Sequence, residues 1–268
     1  MVKDKYQKVF YYEDELSDDF AGLNIKRCTV DENFKYLREG LLWNVCSVVI
    51  YYFIAYPLIW FFMKVILQVR IVNKKALKQC KKTPCILYGN HTSFYDAFTP
   101  NLISFPRRNR IIVGAETVSI KGIKNLVQML GAIPLPTKVS GMKKFVKAVD
   151  FHHKHCNITI YPEAHIWPYY NGIRPFPDAS FGYAIRHNCP VVAFFTAYTK
   201  PKGFLSWLRK ANITVYVSNP LYPDEGLTGR EARKNLRDKV YNFMLEKSNL
   251  SDYEVIKYIR REKDREIA

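Results

Sequence analysis

From Leu41 to Leu67 the chain reads LLWNVCSVVIYYFIAYPLIWFFMKVIL, apolar apart from Asn44, Ser47 and Lys64. Such a run is long enough to span a bilayer. Pro57 falls in its middle. A proline inside a helix removes a hydrogen bond and collides with the preceding turn, so two shorter helices in one leaflet fit as well as one tilted span. Flanking charge favours the half-buried hairpin. Lys26, Arg27, Lys35 and Arg38 precede the run and Lys74, Lys75, Lys78, Lys81 and Lys82 follow it, which leaves no asymmetry to orient a span. Trp43, Tyr51, Tyr52, Tyr56, Trp60, Phe61 and Phe62 crowd the run as interfacial residues do, against the alternative of a buried helix pair in a soluble core.

The chain is large enough to bury one mixed core besides this segment. Its 41 basic against 24 acidic side chains, net +17, suggest a basic face that meets anionic membrane lipids or phosphate-bearing substrates. Nucleic acid is the competing partner. No zinc-finger spacing, RNP-like aromatic motif or basic heptad region supports it, so the reading is no nucleic acid. Six cysteines without a Cys-x-x-Cys pair imply a reducing, cytoplasmic side, and residues 1–40 lack the features of a secretory signal. His152, His153 and His155 end a lysine-rich amphipathic helix over residues 141–155, with Met142, Phe145, Val146 and Val149 on its apolar side. They lack thiol or carboxylate partners at ligand spacing, so they are read as a solvated helix end, with no metal.

The chemistry concentrates in Pro84 to Asp96, PCILYGNHTSFYD. Cys85 to Tyr88 is a buried strand, too short for a helix and bounded by Pro and Gly. Helix-compatible sequence resumes at Ala97, which places His91 where a strand end meets a helix start, a common ligand position in open α/β sheets. His91 with Asp96 five residues on suits general-base catalysis: the imidazole takes a proton from a hydroxyl while the carboxylate holds the other ring nitrogen. No Gly-x-Ser-x-Gly elbow supplies a nucleophile, so the attacking hydroxyl most simply belongs to the substrate. Backbone N–H groups near the helix start are the cheapest oxyanion donors.

This segment resembles the first motif, Asn-His-x4-Asp, of the glycerolipid acyltransferases, the 1-acylglycerol-3-phosphate acyltransferases, with Asn90, His91 and Asp96 in its places. The resemblance runs in motif order from Ile71 to about Pro220. Arg107, Arg108 and Arg110 precede the strand Ile111 to Val113 and could act as an anchor. At Gly131 to Thr137 the family has an arginine for the acceptor phosphate where this chain has Thr137, leaving Lys138 as the adjacent cation. After a strand at Ile158 to Tyr161, Pro162 and Glu163 are kept, while Ala164, His165 and Ile166 replace Gly, Thr and Arg. Glu163 can orient the acceptor or tie down its own loop; His165 can replace the lost donor, and Arg174 is the nearest guanidinium left for a phosphate. Cys189 to Phe195 matches the fourth motif, an apolar strand begun by proline. Further on come a strand at Ile213 to Val217, a helix from Thr228 to Lys247 opened by a Thr/Glu231 cap, and a basic tail read as solvated helix.

The expected fold is α/β, a largely parallel or mixed sheet with helices on both faces, preceded by an apolar membrane-docking helical hairpin. Residues 1–70 would form the membrane-associated region and 71–268 the catalytic domain. The resemblance implies transfer of a fatty acyl group from acyl-CoA or acyl carrier protein to the hydroxyl of lysophosphatidate, giving phosphatidate, without a cofactor, at the cytoplasmic face of a membrane. Another lysolipid or glycerol-type acceptor, or a non-catalytic lipid-binding protein, are the alternatives.

Overall fold

A computed structural model describes residues 8–261 except 23, 24, 26, 39 and 205. Lys26 and the end of the basic tail therefore lie outside the described residues. In chain order the elements are β1 (Lys8–Tyr12), α1 (Leu41–Ile66), β2 (Arg70–Val72), β3 (Ile86–Gly89), α2 (Thr99–Ser104), β4 (Asn109–Val113), α3 (Lys124–Leu130), β5 (Ala132–Pro134), α4 (Met142–His153), β6 (Asn157–Ile160), α5 (Gly182–His187), β7 (Val191–Thr199), β8 (Asn212–Val217), α6 (Gly229–Ser248) and β9 (Ile256–Arg260).

Among the described residues, seven strands form one mixed sheet in the order β2-β8-β7-β3-β6-β4-β5. From β7 to β5 the strands run parallel, β8 returns antiparallel to β7, and β2 adds parallel to β8. Strands at the centre of a parallel sheet are covered on both faces, which is why β3 and most of β7 read as continuous apolar or small-residue runs and why β6, though it alternates as Asn-Ile-Thr-Ile, is buried throughout. Successive side chains divide between the two faces. Ile86 and Tyr88 of β3 join Phe145 and Val149 of α4 and Leu236, Val240 and Met244 of α6. Leu87, between them, joins Leu102 and Ile103 of α2 and Met63 of α1 on the other face. Helices on both faces of a mixed sheet match the expected fold.

The helical hairpin is corrected: α1 runs as one helix through Pro57. Residues 50–55 form a widened π turn, in which the Tyr56 N–H reaches back to the Tyr51 carbonyl, and Pro57 opens the following α-helical stretch, where its missing N–H is tolerated. One side of α1 is pinned along the domain. Ser47 Oγ donates to the Met129 carbonyl (3.0 Å), Tyr51 OH to Asn101 Oδ1 (2.7 Å), Tyr52 OH to the Pro106 carbonyl (3.0 Å) and Lys64 Nζ to the Val69 carbonyl (2.7 Å). The first three hold the amino-terminal half against the body, and Met63, fully buried beside Leu87, holds the other half there. Its other side, with Leu41, Leu42, Phe53, Leu58 and Phe61, is exposed.

Several further readings are revised. Arg107, Arg108 and Arg110 are structural: Arg107 donates to the carbonyls of Cys80 (2.7 Å), Lys81 and Thr83 (3.1 Å), while Arg108 and Arg110 close the carbonyl end of α3 at Met129 and Gln128. His153 is buried against Cys189, with Nε2 3.1 Å from its Sγ, and burial pushes its pKa down to about 4, so it is a neutral core histidine rather than a solvated one. Met142 is exposed at the start of the same helix. The tail is not continuous helix, because α6 ends at Ser248 and β9 pairs in parallel with β1 at the opposite end of the chain. Thr228 precedes α6 but its side chain makes no capping bond. β1 pairs with β9, and α1 packs on the body of the chain.

Candidate active site

His91 follows β3 by two residues, and the strand end is fixed twice. At Gly89 the ring of Phe194 fills the space a Cβ would take, so β3 passes close to β7. Asn90 is fully buried, its amide donating to the Thr196 carbonyl (3.1 Å) and accepting the Thr196 N–H (2.7 Å). Both ends of its side chain are spent on β7, so Asn90 braces the strand rather than meeting a substrate. Asn90→Ala would orphan two buried groups and is expected to lower stability by roughly 2 kcal/mol or more in a denaturant melt.

Asp96 is 1% exposed and heavily bonded. Its Oδ2 accepts the N–H groups of Thr92 (2.6 Å) and Ser93 (2.8 Å), and Oδ1 accepts Ser93 Oγ–H (2.8 Å). His91 Nδ1 lies 3.2 Å from Oδ2. A carboxylate holding three donors is an acceptor only, so Nδ1 carries the hydrogen and Nε2 is left as the basic lone pair. The His91 side chain is 19% exposed, and among the described residues Nε2 has no hydrogen-bond partner. Because Thr92 and Ser93 spend their N–H groups on Asp96, those two are not free oxyanion donors.

The face of the imidazole stacks on Tyr161 (4.5 Å between centroids, 21°), whose hydroxyl donates to the Asp96 carbonyl at 2.6 Å. Tyr161 was seen in the sequence only as the end of a strand. The loop after β6 also grips the His91 loop through its backbone: Trp167 N–H donates to the His91 carbonyl (3.1 Å) and Tyr169 N–H to the Thr92 carbonyl (2.9 Å).

The remaining candidates do not converge on His91. Arg174 is fully buried: Nε donates to Glu163 Oε2 at 2.8 Å, Nη1 to the Glu15 carbonyl at 3.1 Å and Nη2 to the His165 carbonyl, and the guanidinium lies over the Trp167 ring. That environment holds the loop of residues 163–174 together and leaves the guanidinium turned inward. Burial pushes the Glu163 carboxyl up to about 7 against the pull of Arg174, and the His91 N–H beside it favours the charged form. Glu163 therefore ties its loop to the start of the His91 loop. His165 turns to Asp19 (Nδ1 to Oδ2 3.6 Å). Lys138 is exposed beyond β5, three strands from β3 and so about 14 Å away across the sheet, where it lowers the pKa of Glu32 together with Lys144 after the larger effect of Ser140. Thr137, in the family's arginine position, bonds Val30.

The chain's own amino-terminal segment covers this loop. Trp167 Nε1 donates to the Asp18 carbonyl (2.8 Å), Phe20 N–H to the Ile166 carbonyl (3.1 Å), and Tyr258 of β9 stacks on Trp167 at 4.9 Å. The residues that replace the family's Gly-Thr-Arg thus serve a clasp made by the two ends of the chain.

Residues 68–196 match the model of the family described as Acyltransferase. The chain is 25% identical over 167 residues to a chloroplastic 1-acyl-sn-glycerol-3-phosphate acyltransferase of Brassica napus, covering 59% of this chain and 47% of that protein, so it spans about half the length of the curated relative it matches. Its fold is similar to the crystal structure of the 1-acyl-sn-glycerophosphate acyltransferase PlsC from Thermotoga maritima, with a TM-score of 0.52 and 16% identity over 78% of this chain and 93% of that one. Motif order and these likenesses point the same way: over residues 68–196 the chain is similar to the acyltransferase family.

Proposed function

We propose that the protein is a membrane-docked O-acyltransferase that moves a fatty acyl group from the thioester of coenzyme A or acyl carrier protein to the free hydroxyl of lysophosphatidate, giving phosphatidate in phospholipid synthesis. The observation that carries this is His91, oriented by Asp96 through Nδ1 with Nε2 unpartnered. Nε2 removes the proton of the acceptor hydroxyl as its oxygen attacks the thioester carbonyl carbon. The tetrahedral intermediate collapses with cleavage of the carbon–sulfur bond, and the thiolate takes the proton back from the imidazolium. Among the described residues no serine hydroxyl or cysteine thiol is bonded to His91, which supports direct transfer over an acyl-enzyme.

Two features support a lipid substrate. The exposed apolar side of α1 forms a stripe suited to lying in one leaflet, with the domain held flat against it. An apolar cavity of about 160 Å³ opens between α1 (Tyr51, Tyr56, Ile59) and the turn just after Asp96 (Ala97, Phe98), where an acyl chain could pass from the membrane toward the base. Six free cysteines suit the cytoplasmic face.

A second reading has its own observation. Arg174 is buried and Lys138 remote, so neither offers the phosphate grip the family's arginines supply, which favours another lysolipid or a glycerol-type acceptor. Purified protein with labelled acyl-CoA or acyl carrier protein and a panel of lysolipids distinguishes them. A labelled phosphatidate product supports the first reading, a labelled product from a different acceptor the second, and no acylated lipid from any member with either donor overturns both.

A further inference from the structure

The connection between β7 and β8, residues 200–211 with 205 outside the described residues, carries a feature the acyl-transfer reaction does not use. Phe204 and Trp207 are 80% and 79% exposed and Leu208 lies beside them, while Lys200, Lys202 and Lys210 are exposed around them. Two large aromatics held in water are costly unless something covers them. The turn is also built. Arg209 is buried beneath it and donates to the carbonyls of Lys202 (3.0 Å), Phe204 (3.3 Å) and Leu67 (3.4 Å), Gln68 Nε2 donates to the Phe204 carbonyl (2.9 Å), and Asn212 Nδ2 donates to the Lys200 carbonyl (3.1 Å). The aromatics are therefore displayed on a fixed turn, joined to the end of α1.

We propose that this turn is a second membrane-contacting element, a wedge whose Phe204, Trp207 and Leu208 enter the interfacial layer while Lys200, Lys202 and Lys210 meet anionic headgroups. It rests on the docking of α1. Two arguments select a lipid surface over a protein partner. The turn is hydrogen-bonded to Leu67 and Gln68, directly after α1, so it adjoins the helix that carries the exposed apolar side. Its mixture of aromatic side chains ringed by lysines is the chemistry of an anionic interface. The topology then gives it a use. β7 runs parallel to β3 and, after Phe194 passes Gly89, continues to Thr199, so the wedge stands at the same end of the sheet as His91. A helix alone leaves the domain free to roll about its axis. Two contacts fix the roll with the catalytic end toward the layer that holds a lysolipid.

The test uses the full chain and vesicles of phosphatidylcholine containing a minor fraction of phosphatidylserine. Phe204→Ser/Trp207→Ser is expected to bind at least about ten-fold more weakly than the parent with an unchanged melting temperature, since both side chains are largely solvated. Lys200→Glu/Lys202→Glu/Lys210→Glu is expected to lose the gain in binding that phosphatidylserine confers. Activity of the aromatic variant should fall on acceptor held in vesicles and match the parent on acceptor in detergent. If the parent binds and the aromatic variant binds as tightly, while Leu58→Ser/Phe61→Ser on α1 weakens binding, the wedge does not touch the membrane. If that variant instead changes the oligomeric state with vesicle binding intact, a second copy covers the patch and the proposal fails. A parent that does not bind vesicles removes the docking of α1 and the wedge together.

Discussion

His91→Ala is expected to lower the acyl-transfer rate by about 100- to 10,000-fold, the usual worth of a positioned general base. The loss should fall on kcat, with the acceptor KM nearly unchanged, because the imidazole contributes proton abstraction rather than acceptor binding. Among the described residues the His91 side chain makes one hydrogen bond, through Nδ1, besides its stack on Tyr161, so the variant should melt only slightly below the parent. Asp96→Asn separates two effects. Asn offers one acceptor oxygen to a cluster of three donors besides the imidazole, and its amide can donate to Nδ1, which turns the ring to the wrong tautomer. Both rate and melting temperature should drop. Initial rates with labelled acyl donor, beside a thermal melt, check the pair; a His91→Ala enzyme within a few-fold of the parent removes the base from the mechanism.

What could be read before the fold was known follows from the range of the interactions. β3 and β7 announce themselves as apolar runs because both their faces are covered, and His91 and Asp96 lie in one local stretch of chain. The helix through Pro57 was misjudged because a π turn, set by how α1 lies on the domain, makes room for the proline. Thr228 and Glu231 have the spacing of a capping pair and form no such bond, whereas Ser93 and Asp96, at the same spacing, do. Ser93 and Thr228 are both extended, so backbone conformation does not separate them; Asp96 is also held by the Thr92 N–H, a contact outside the capping pair. β1 and β9 pair across almost the whole chain, and their sequences KVFYY and IKYIR carry too little alternation to predict each other. Arg174 was the least legible. Its position in a loop near lost arginines suggested a ligand, and only the coverage by Glu15 and Trp167 shows that it faces inward.

Arg174→Ala is accordingly expected to act on stability rather than on acceptor affinity. Removing one member of a buried ion pair leaves the other uncompensated, which costs about 3–5 kcal/mol, or about 10 °C of melting temperature for a chain of this size. Two backbone carbonyls, of Glu15 and His165, lose their donor as well. The loss has a pH signature whose sign is fixed by Glu163. Its folded pKa is already raised from 4.5 to about 7 by burial, and without the guanidinium that lowers it the value moves higher. A carboxyl whose folded pKa exceeds its unfolded one stabilises fully below the unfolded value and loses that contribution as pH rises through the folded one. The variant should therefore lie closest to the parent in acid and fall away increasingly above pH about 7, since in acid Glu163 is buried neutral. Glu163→Gln/Arg174→Met, which removes both charges, should recover much of the melting temperature and flatten the difference with pH. The rival assignment, a guanidinium that holds the acceptor phosphate, predicts the reverse pattern: an unchanged melt and a KM for lysophosphatidate at least ten-fold higher, with the KM of the acyl donor unmoved.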